Sequence, residues 1–320
     1  MVLEEFLSEW SNDSDRVLVH TSGSTGKPKP MWVEKRKMLN SARITCDFLG
    51  LKPGDTALLC MNLKYIGAKM VVVRALERHM RLVSVPADGH PMAHLAASGR
   101  PAPTFAAMVP LQVYNTLQVP AEAALLRQTR HLIIGGGAID ESLEAALRGF
   151  PHAVWSTYGM TETLSHIALR RLNGPEADPW YRPLPSVSVT LNAEGCLVVH
   201  APLVHDGPLV TNDRAEIVQG KGFRILGRKD NVIVSGGIKI QIEEVERALK
   251  PYVQDPFVVA KRNDAKFGEA MVLLTEAADI QTVMAVCRRM LPKYWVPREV
   301  RHVDAVPMTE TGKPKRNVLL

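Results

Sequence analysis

Between Thr21 and Lys29 the chain places four hydroxyls (Thr21, Ser22, Ser24, Thr25), two glycines (Gly23, Gly26) and two lysines (Lys27, Lys29) within nine residues. The glycines let the backbone turn tightly, so that amides and hydroxyls can converge on phosphate oxygens while a lysine supplies positive charge. The stretch departs from GxxxxGK[ST], because only two residues separate its glycines and Pro28 follows Lys27. A solvated Ser/Gly linker has the same composition, and the expected position after a strand and before a helix favours the phosphate grip. A second stretch, Ser156 to Thr163 (STYGMTET), sets an aromatic ring, a glycine, hydroxyls and a carboxylate close together. Tyr158 can stack on a base, and Glu162 can hold Mg²⁺ already bound to phosphates; the same residues also suit a helix start capped by Thr161. Asp213 in TND and Arg228 in GRKD form a third set, able to take ribose hydroxyls or phosphate, or simply a charge pair on a surface hairpin. The fourth is Lys313 within TGKPKR, either a working cation on a glycine-hinged loop or part of a frayed basic tail.

Elements must carry these residues. Through roughly residue 170, β-rich runs (17–20, 56–60, 82–85, 105–109, 132–134, 154–156) alternate with helical stretches (34–49, 65–77, 121–128, 141–147). Such alternation predicts an α/β domain with a mainly parallel sheet and ligands at the loops leaving the strand C-termini. After about Pro183 paired strand signals flank the turns 192–195 and 220–222, a β-hairpin region. From Arg228 a smaller α+β unit is expected, with strands near 232–235, 257–260 and 271–275 and helices over 242–249 and 280–291. The domains are therefore placed at 1–227 and 228–320.

Composition narrows the partners. A hydrophobic content of 46% over 320 residues supports a sizeable core. The acidic, polar start and Arg74 directly after Val71-Val72-Val73 argue against a signal peptide or spanning helix, so a cytoplasmic protein is expected. Four scattered cysteines without a CxxC pair fit reduced thiols rather than disulfides or zinc. A formal charge of +6 suggests anionic ligands, and without basic clusters interleaved with aromatics these are small molecules rather than nucleic acid.

Taken in order, TSGSTGKPK, YGMTET, GRKDNVIVSGGIKI and TGKPKR resemble the acyl-adenylate-forming enzymes, which include acyl-CoA synthetases, luciferases and peptide-synthetase adenylation domains. The resemblance runs from about Val17 to Arg316. It implies a large adenylation domain, a small mobile C-terminal domain, and use of ATP, Mg²⁺, CoA and a carboxylic acid. By it, Thr21 to Lys29 grip the ATP phosphates, and Gly135, Gly136 and Gly137 with Tyr158, Gly159 and Met160 surround the adenine. Thr161 and Glu162 serve catalysis, Glu162 as the magnesium ligand, and Asp213 and Arg228 bind the ribose. Asp230 is the hinge, Gly236, Gly237 and Lys239 face CoA, and Lys313 bridges carboxylate and phosphate. Two departures stand out: only twenty residues precede Thr21, so an N-terminal subdomain is expected to be missing, and TND replaces the usual TGD. The resemblance therefore carries over least to the CoA entrance and to any homodimer surface.

Within the family, IIGGGAI and STYGMTETLSHIALRRLNG look most like the ligases that join o-succinylbenzoate to CoA in menaquinone synthesis. That acid has two carboxylates and an aromatic ring, so Lys64, Tyr65, Arg74, Ser165 and His166 become candidates for holding it; His166 equally suits a partly exposed histidine bonded to backbone, and Arg74 an ion paired inside the fold. Another aryl or medium-chain acyl-CoA synthetase, or a nucleotide-binding module without catalysis, are the alternatives; Lys313 argues against the last.

Overall fold

The computed structural model describes residues 1–20, 29–265, 267–308, 314 and 316. Among them the chain begins with α1 (Leu3–Ser11) and a hairpin of β1 (Arg16–His20) and β2 (Pro30–Glu34). It continues through α2 (Lys35–Leu49), β3 (Thr56–Leu59), α3 (Ile66–Glu77), β4 (Arg81–Ser84), α4 (Pro91–Ala97), β5 (Phe105–Met108), α5 (Pro110–Gln118), α6 (Pro120–Gln128), β6 (His131–Ile134) and α7 (Glu141–Leu147). β7 (Ala153–Gly159), β8 (His166–Arg171) and β9 (Arg182–Pro183) complete a sheet ordered β4-β3-β5-β6-β7-β8-β9. Its first five strands pair in parallel and the last two add antiparallel edges. A mainly parallel α/β fold, as the alternation implied, is what the chain adopts. β5 (FAAM), buried throughout, and β6, buried from Leu132 to Ile134, lie at its centre, as expected of parallel strands covered on both faces. Their side chains join Leu58, Met92, Leu95, Val113 and Leu126 in one core.

One expectation is corrected. The segment after β1 does not run into a helix: β2 intervenes, pairing antiparallel with β1 from Arg16↔Glu34 to His20↔Pro30. Residues 21–28 therefore connect two strands of a hairpin, and α2 begins only at Lys35.

Four further strands, β10 (Ser188–Leu191), β11 (Cys196–His200), β12 (Pro208–Val218) and β13 (Gly222–Arg228), lie side by side in sequence order, the hairpin region foreseen. The last part holds β14 (Val232–Ser235), β15 (Ile238–Gln241), α8 (Ile242–Leu249), β16 (Phe257–Asp264), β17 (Gly268–Thr275), α9 (Ile280–Met290) and β18 (Glu299–His302). Its sheet runs β15-β14-β17-β16, with β18 parallel to β17, and the apolar faces of α8 and α9 bury Val245, Leu249, Val283 and Cys287 against it. The chain divides into two compact units. The first is Met1–Thr190 with Val199–Leu209 and Ile217–Arg224; the second is Leu191–Val198 with Val210–Glu216 and Ile225–Leu320.

Candidate active site

In the first unit the candidate nucleotide residues stand at the C-terminal ends of neighbouring parallel strands, where ligands of such sheets bind. Gly135 to Gly137 leave β6, and the Gly135 amide donates to the Met108 carbonyl at 3.0 Å. The loop passes close against β7, where a side chain at Gly135 would have to push the Thr157 hydroxyl aside. One position on, Tyr158 makes an edge-on contact with Phe223 at 5.2 Å between ring centres, and Phe223 stacks on Tyr181 at 5.6 Å. The Tyr181 hydroxyl and Ser156 Oγ are 2.7 Å apart, which ties this aromatic group to β7.

After Gly159 the chain makes a single tight turn, Thr161–Thr163. Thr163 Oγ1 accepts from the Met160 amide at 3.1 Å and donates to the Ser165 carbonyl at 2.8 Å, locking the turn from inside. Glu162, half-exposed on that turn, makes no hydrogen bond or ion pair with any described residue. Among the described residues no group of three or more His, Cys, Asp or Glu could hold a metal. A single free carboxylate suits Mg²⁺, which commonly binds through one or two carboxylates plus substrate phosphates. Lys29 is exposed; Thr21, Ser22, Gly23, Ser24, Thr25, Gly26, Lys27 and Lys313 lie outside the described residues.

The acid-binding candidates separate into two groups. Arg74, 1% exposed in the last turn of α3, donates through Nη2 to Ser165 Oγ at 2.6 Å and Thr45 Oγ1 at 3.3 Å. Thr45 donates in turn to the Ser41 carbonyl at 3.1 Å, so its hydroxyl is left to accept from His166 Nε2 at 3.1 Å. His166 Nδ1 then accepts from Ser165 at 3.3 Å, and this pattern assigns the neutral Nε2–H tautomer. Burial, with Arg74 alongside, holds His166 well below its usual pKa. Burial also pulls Arg74 down to about 10, still charged near neutrality. Among the described residues no carboxylate pairs with Arg74, and its Nε has no partner. Lys64 and Tyr65 lie apart from this cluster. They contact one another, Lys64 Nζ 5.9 Å from the Tyr65 ring, and Tyr65 caps the opposite end of α3, about 13 Å along the axis from Arg74.

In the second unit Arg228 joins Asp213 (Nη1 to Oδ1, 3.3 Å) and Asp230 (Nη2 to Oδ2, 2.7 Å). Burial lowers the pKa of Arg228, but the ion pairs with Asp230 and Asp213 outweigh it and the net shift is upward. Thr211, the first residue of TND, holds the bend: its hydroxyl donates to the Leu197 carbonyl at 2.8 Å and accepts from the Asp213 amide at 3.1 Å. Asn212 stands where glycine is usual and reaches Asp230 Oδ2 at 3.3 Å. Gly236 and Gly237 turn β14 into β15 with φ of +56° and +83°, leaving Lys239 exposed on β15. Near the C-terminus Arg316 donates to both carboxylate oxygens of Glu246 and to the Val259 carbonyl at 2.6 Å.

Three partners escaped the sequence reading. Thr45 had a signal: it is a polar residue on the buried stripe Met38, Ala42, Cys46, Leu49 of α2. Gln241 and Glu243, which contact the chain at Arg228, had none, because they arrive by tertiary folding.

The sequence pattern of the AMP-binding enzyme family matches residues 5–207, and that of the AMP-binding enzyme C-terminal domain matches residues 242–313. The acyl-CoA synthetase (AMP-forming)/AMP-acid ligase II-like protein from Dyadobacter fermentans is 32% identical; the match covers 98% of this chain and 91% of that one, with a TM-score of 0.66. The 2-succinylbenzoate–CoA ligase of Bacillus cereus is 26% identical over 97% of this chain and 70% of its own length. The o-succinylbenzoate coenzyme A synthetase of Bacillus subtilis, solved with ATP and magnesium, is 22% identical and shares the fold with a TM-score of 0.77 over 94% of this chain and 69% of that one. With the enzyme pattern spanning most of the chain and its C-terminal partner following in order, the chain belongs to the AMP-binding enzyme family.

Proposed function

We propose that this chain is an acid–thiol ligase that activates a carboxylic acid with ATP to an acyl-adenylate and passes the acyl group to CoA, the acid being o-succinylbenzoate on the route to menaquinone. Family membership supports the adenylation step, and the names of the relatives support the acid. The single observation carrying the choice of acid is Arg74: a fully buried guanidinium among hydroxyls, with no carboxylate among the described residues, suits the second carboxylate of a dicarboxylic substrate.

A carboxylate attacking the α-phosphate brings two anions together, so the chain's work is to place positive charge around the transferring group. Lys313 and the segment from Thr21 to Lys29 supply it, and Asp213 with Arg228 orients the ribose. Glu162 would hold Mg²⁺, which when bound would supply charge neutralisation at the phosphates. Arg74, Ser165 and His166 keep the second carboxylate fixed while the first reacts, and Lys64 and Tyr65 serve elsewhere. The small domain then turns about Asp230, withdraws Lys313 and brings Gly236, Gly237 and Lys239 to the thiol.

The test is pyrophosphate release with ATP and Mg²⁺ across a panel of acids. Release with o-succinylbenzoate and little with benzoate or fatty acids supports the reading. Preference for monocarboxylic acids refutes the substrate while keeping adenylation.

A further inference from the structure

The backbone on the two sides of Asp230 is tied to one pair of side chains at the start of α8. Ahead of Asp230, the Arg228 amide donates to Glu243 Oε1 at 3.3 Å and the Arg228 carbonyl accepts from Gln241 Nε2 at 2.9 Å. Behind it, Asn231 Nδ2 donates to the same Glu243 oxygen at 2.6 Å. Gln241, 4% exposed, also donates to Glu243 Oε2 at 2.6 Å, so amide and carboxylate act as one unit. Gly227 makes the approach feasible: a side chain there would stand 2.5 Å from Gln241 Nε2 and 2.6 Å from Glu243 Oε2.

These bonds are not equivalent. Asn231, Gln241 and Glu243 all follow Asp230, so their contact survives any rotation of the chain at that residue. The two bonds to Arg228 cross the pivot and must break when the chain turns there. We infer that Gln241 and Glu243 are a latch that holds the hinge at Asp230 in one of its two working orientations, and with it the Arg228 guanidinium between Asp213 and Asp230. Their role is positioning, since neither is placed among the reacting groups. The inference rests on the proposed reading for its two orientations, and on the contacts alone for the latch.

The test compares the full chain with Glu243→Ala, Gln241→Ala and Glu243→Gln by amide hydrogen exchange in peptides spanning Arg228 and by single-turnover rates of acyl-adenylate and thioester formation. Glu243→Ala is expected to speed exchange at Arg228 and to shift the ratio of the two rates roughly tenfold, the scale of one lost hydrogen bond to a charged group. Glu243→Gln, which keeps an acceptor for Arg228 and Asn231, restores most of the ratio. Gly227→Ala, which keeps both residues of the latch but pushes their side chains apart with a methyl group, shifts the ratio the same way. Unchanged exchange at Arg228, or an equal fall in both rates, overturns the latch. If the unaltered chain releases pyrophosphate with no acid, the ligase reading fails, while the exchange comparison still decides whether Gln241 and Glu243 restrain the hinge.

Discussion

At the residue scale the unusual group is Arg74, because a buried guanidinium whose partners among the described residues are hydroxyls costs the fold stability that an apolar residue would not. Arg74→Met is expected to raise the denaturation midpoint by the equivalent of about 1–3 kcal/mol while raising KM for the dicarboxylic acid at least tenfold. KM for ATP stays unchanged. A destabilised variant with an unaltered acid KM would mean that the arginine is structural. His166 gives a second, pH-dependent signature. Its folded pKa is depressed well below 6.5 by burial and by Arg74, so the neutral ring is the form the fold favours. Below pH 6.5 the unfolded chain binds a proton that the folded chain does not, and stability from this group, fully present above 6.5, is lost as pH falls. Urea midpoints should therefore drop more steeply from pH 7.5 to 5.5 in the unaltered protein than in His166→Gln. Parallel slopes would show that the ring titrates freely.

At the element scale the site depends on one bulge. The register between β7 and β8 shifts at Tyr158/Gly159, and a side chain at Gly159 would collide with the Ser165 carbonyl oxygen and stand 2.5 Å from His166 Cα. Gly159→Ala should lower stability by about 2–3 kcal/mol and disturb the Arg74 cluster, since the neighbour is backbone and cannot rotate aside. Gly135→Ala meets only the movable Thr157 hydroxyl, and the smaller loss expected there is the control; equal midpoints would remove the bulge from the account. The same elements mark what the sequence could disclose. Alternating β-rich and helical runs foretold the parallel sheet because each strand is a short apolar run bounded by turns, and the Asn192–Gly195 turn announced its hairpin. β2 was missed because Met31-Trp32-Val33 buries only Val33, leaving Trp32 60% exposed, so no apolar alternation distinguishes it from the start of α2. α1 buries one residue, Phe6, and is held by Glu9 to the buried Lys69 of α3, a contact 60 positions away in the chain that no local pattern encodes. At the site, Arg74, Ser165 and His166 were legible as candidates by residue type, but their meeting was not. It follows from α3 lying beside α2 and from the turn after β7, which places Ser165 and His166 against the end of the helix.

At the scale of the whole molecule, the proposed reaction divides between two chemistries that need different surroundings: charge neutralisation for adenylation, and an open path for a thiol afterwards. In the proposed cycle a lysine plugging the site would serve the first and obstruct the second, so one chain would do both by moving that lysine away between steps. Lys313→Ala should then slow acyl-adenylate formation by roughly 10²- to 10³-fold, the scale of one positioned electrostatic donor. Conversion of a pre-formed acyl-adenylate to the thioester should be nearly unchanged, because the lysine has left by then. The unfolding midpoint of the variant is the control: a fall there would assign the lost rate to folding and not to a missing cation. Single-turnover kinetics of each half-reaction decide it. An equal loss in both would mean that Lys313 stays in place throughout, and the turn about Asp230 would have no part in this enzyme's cycle.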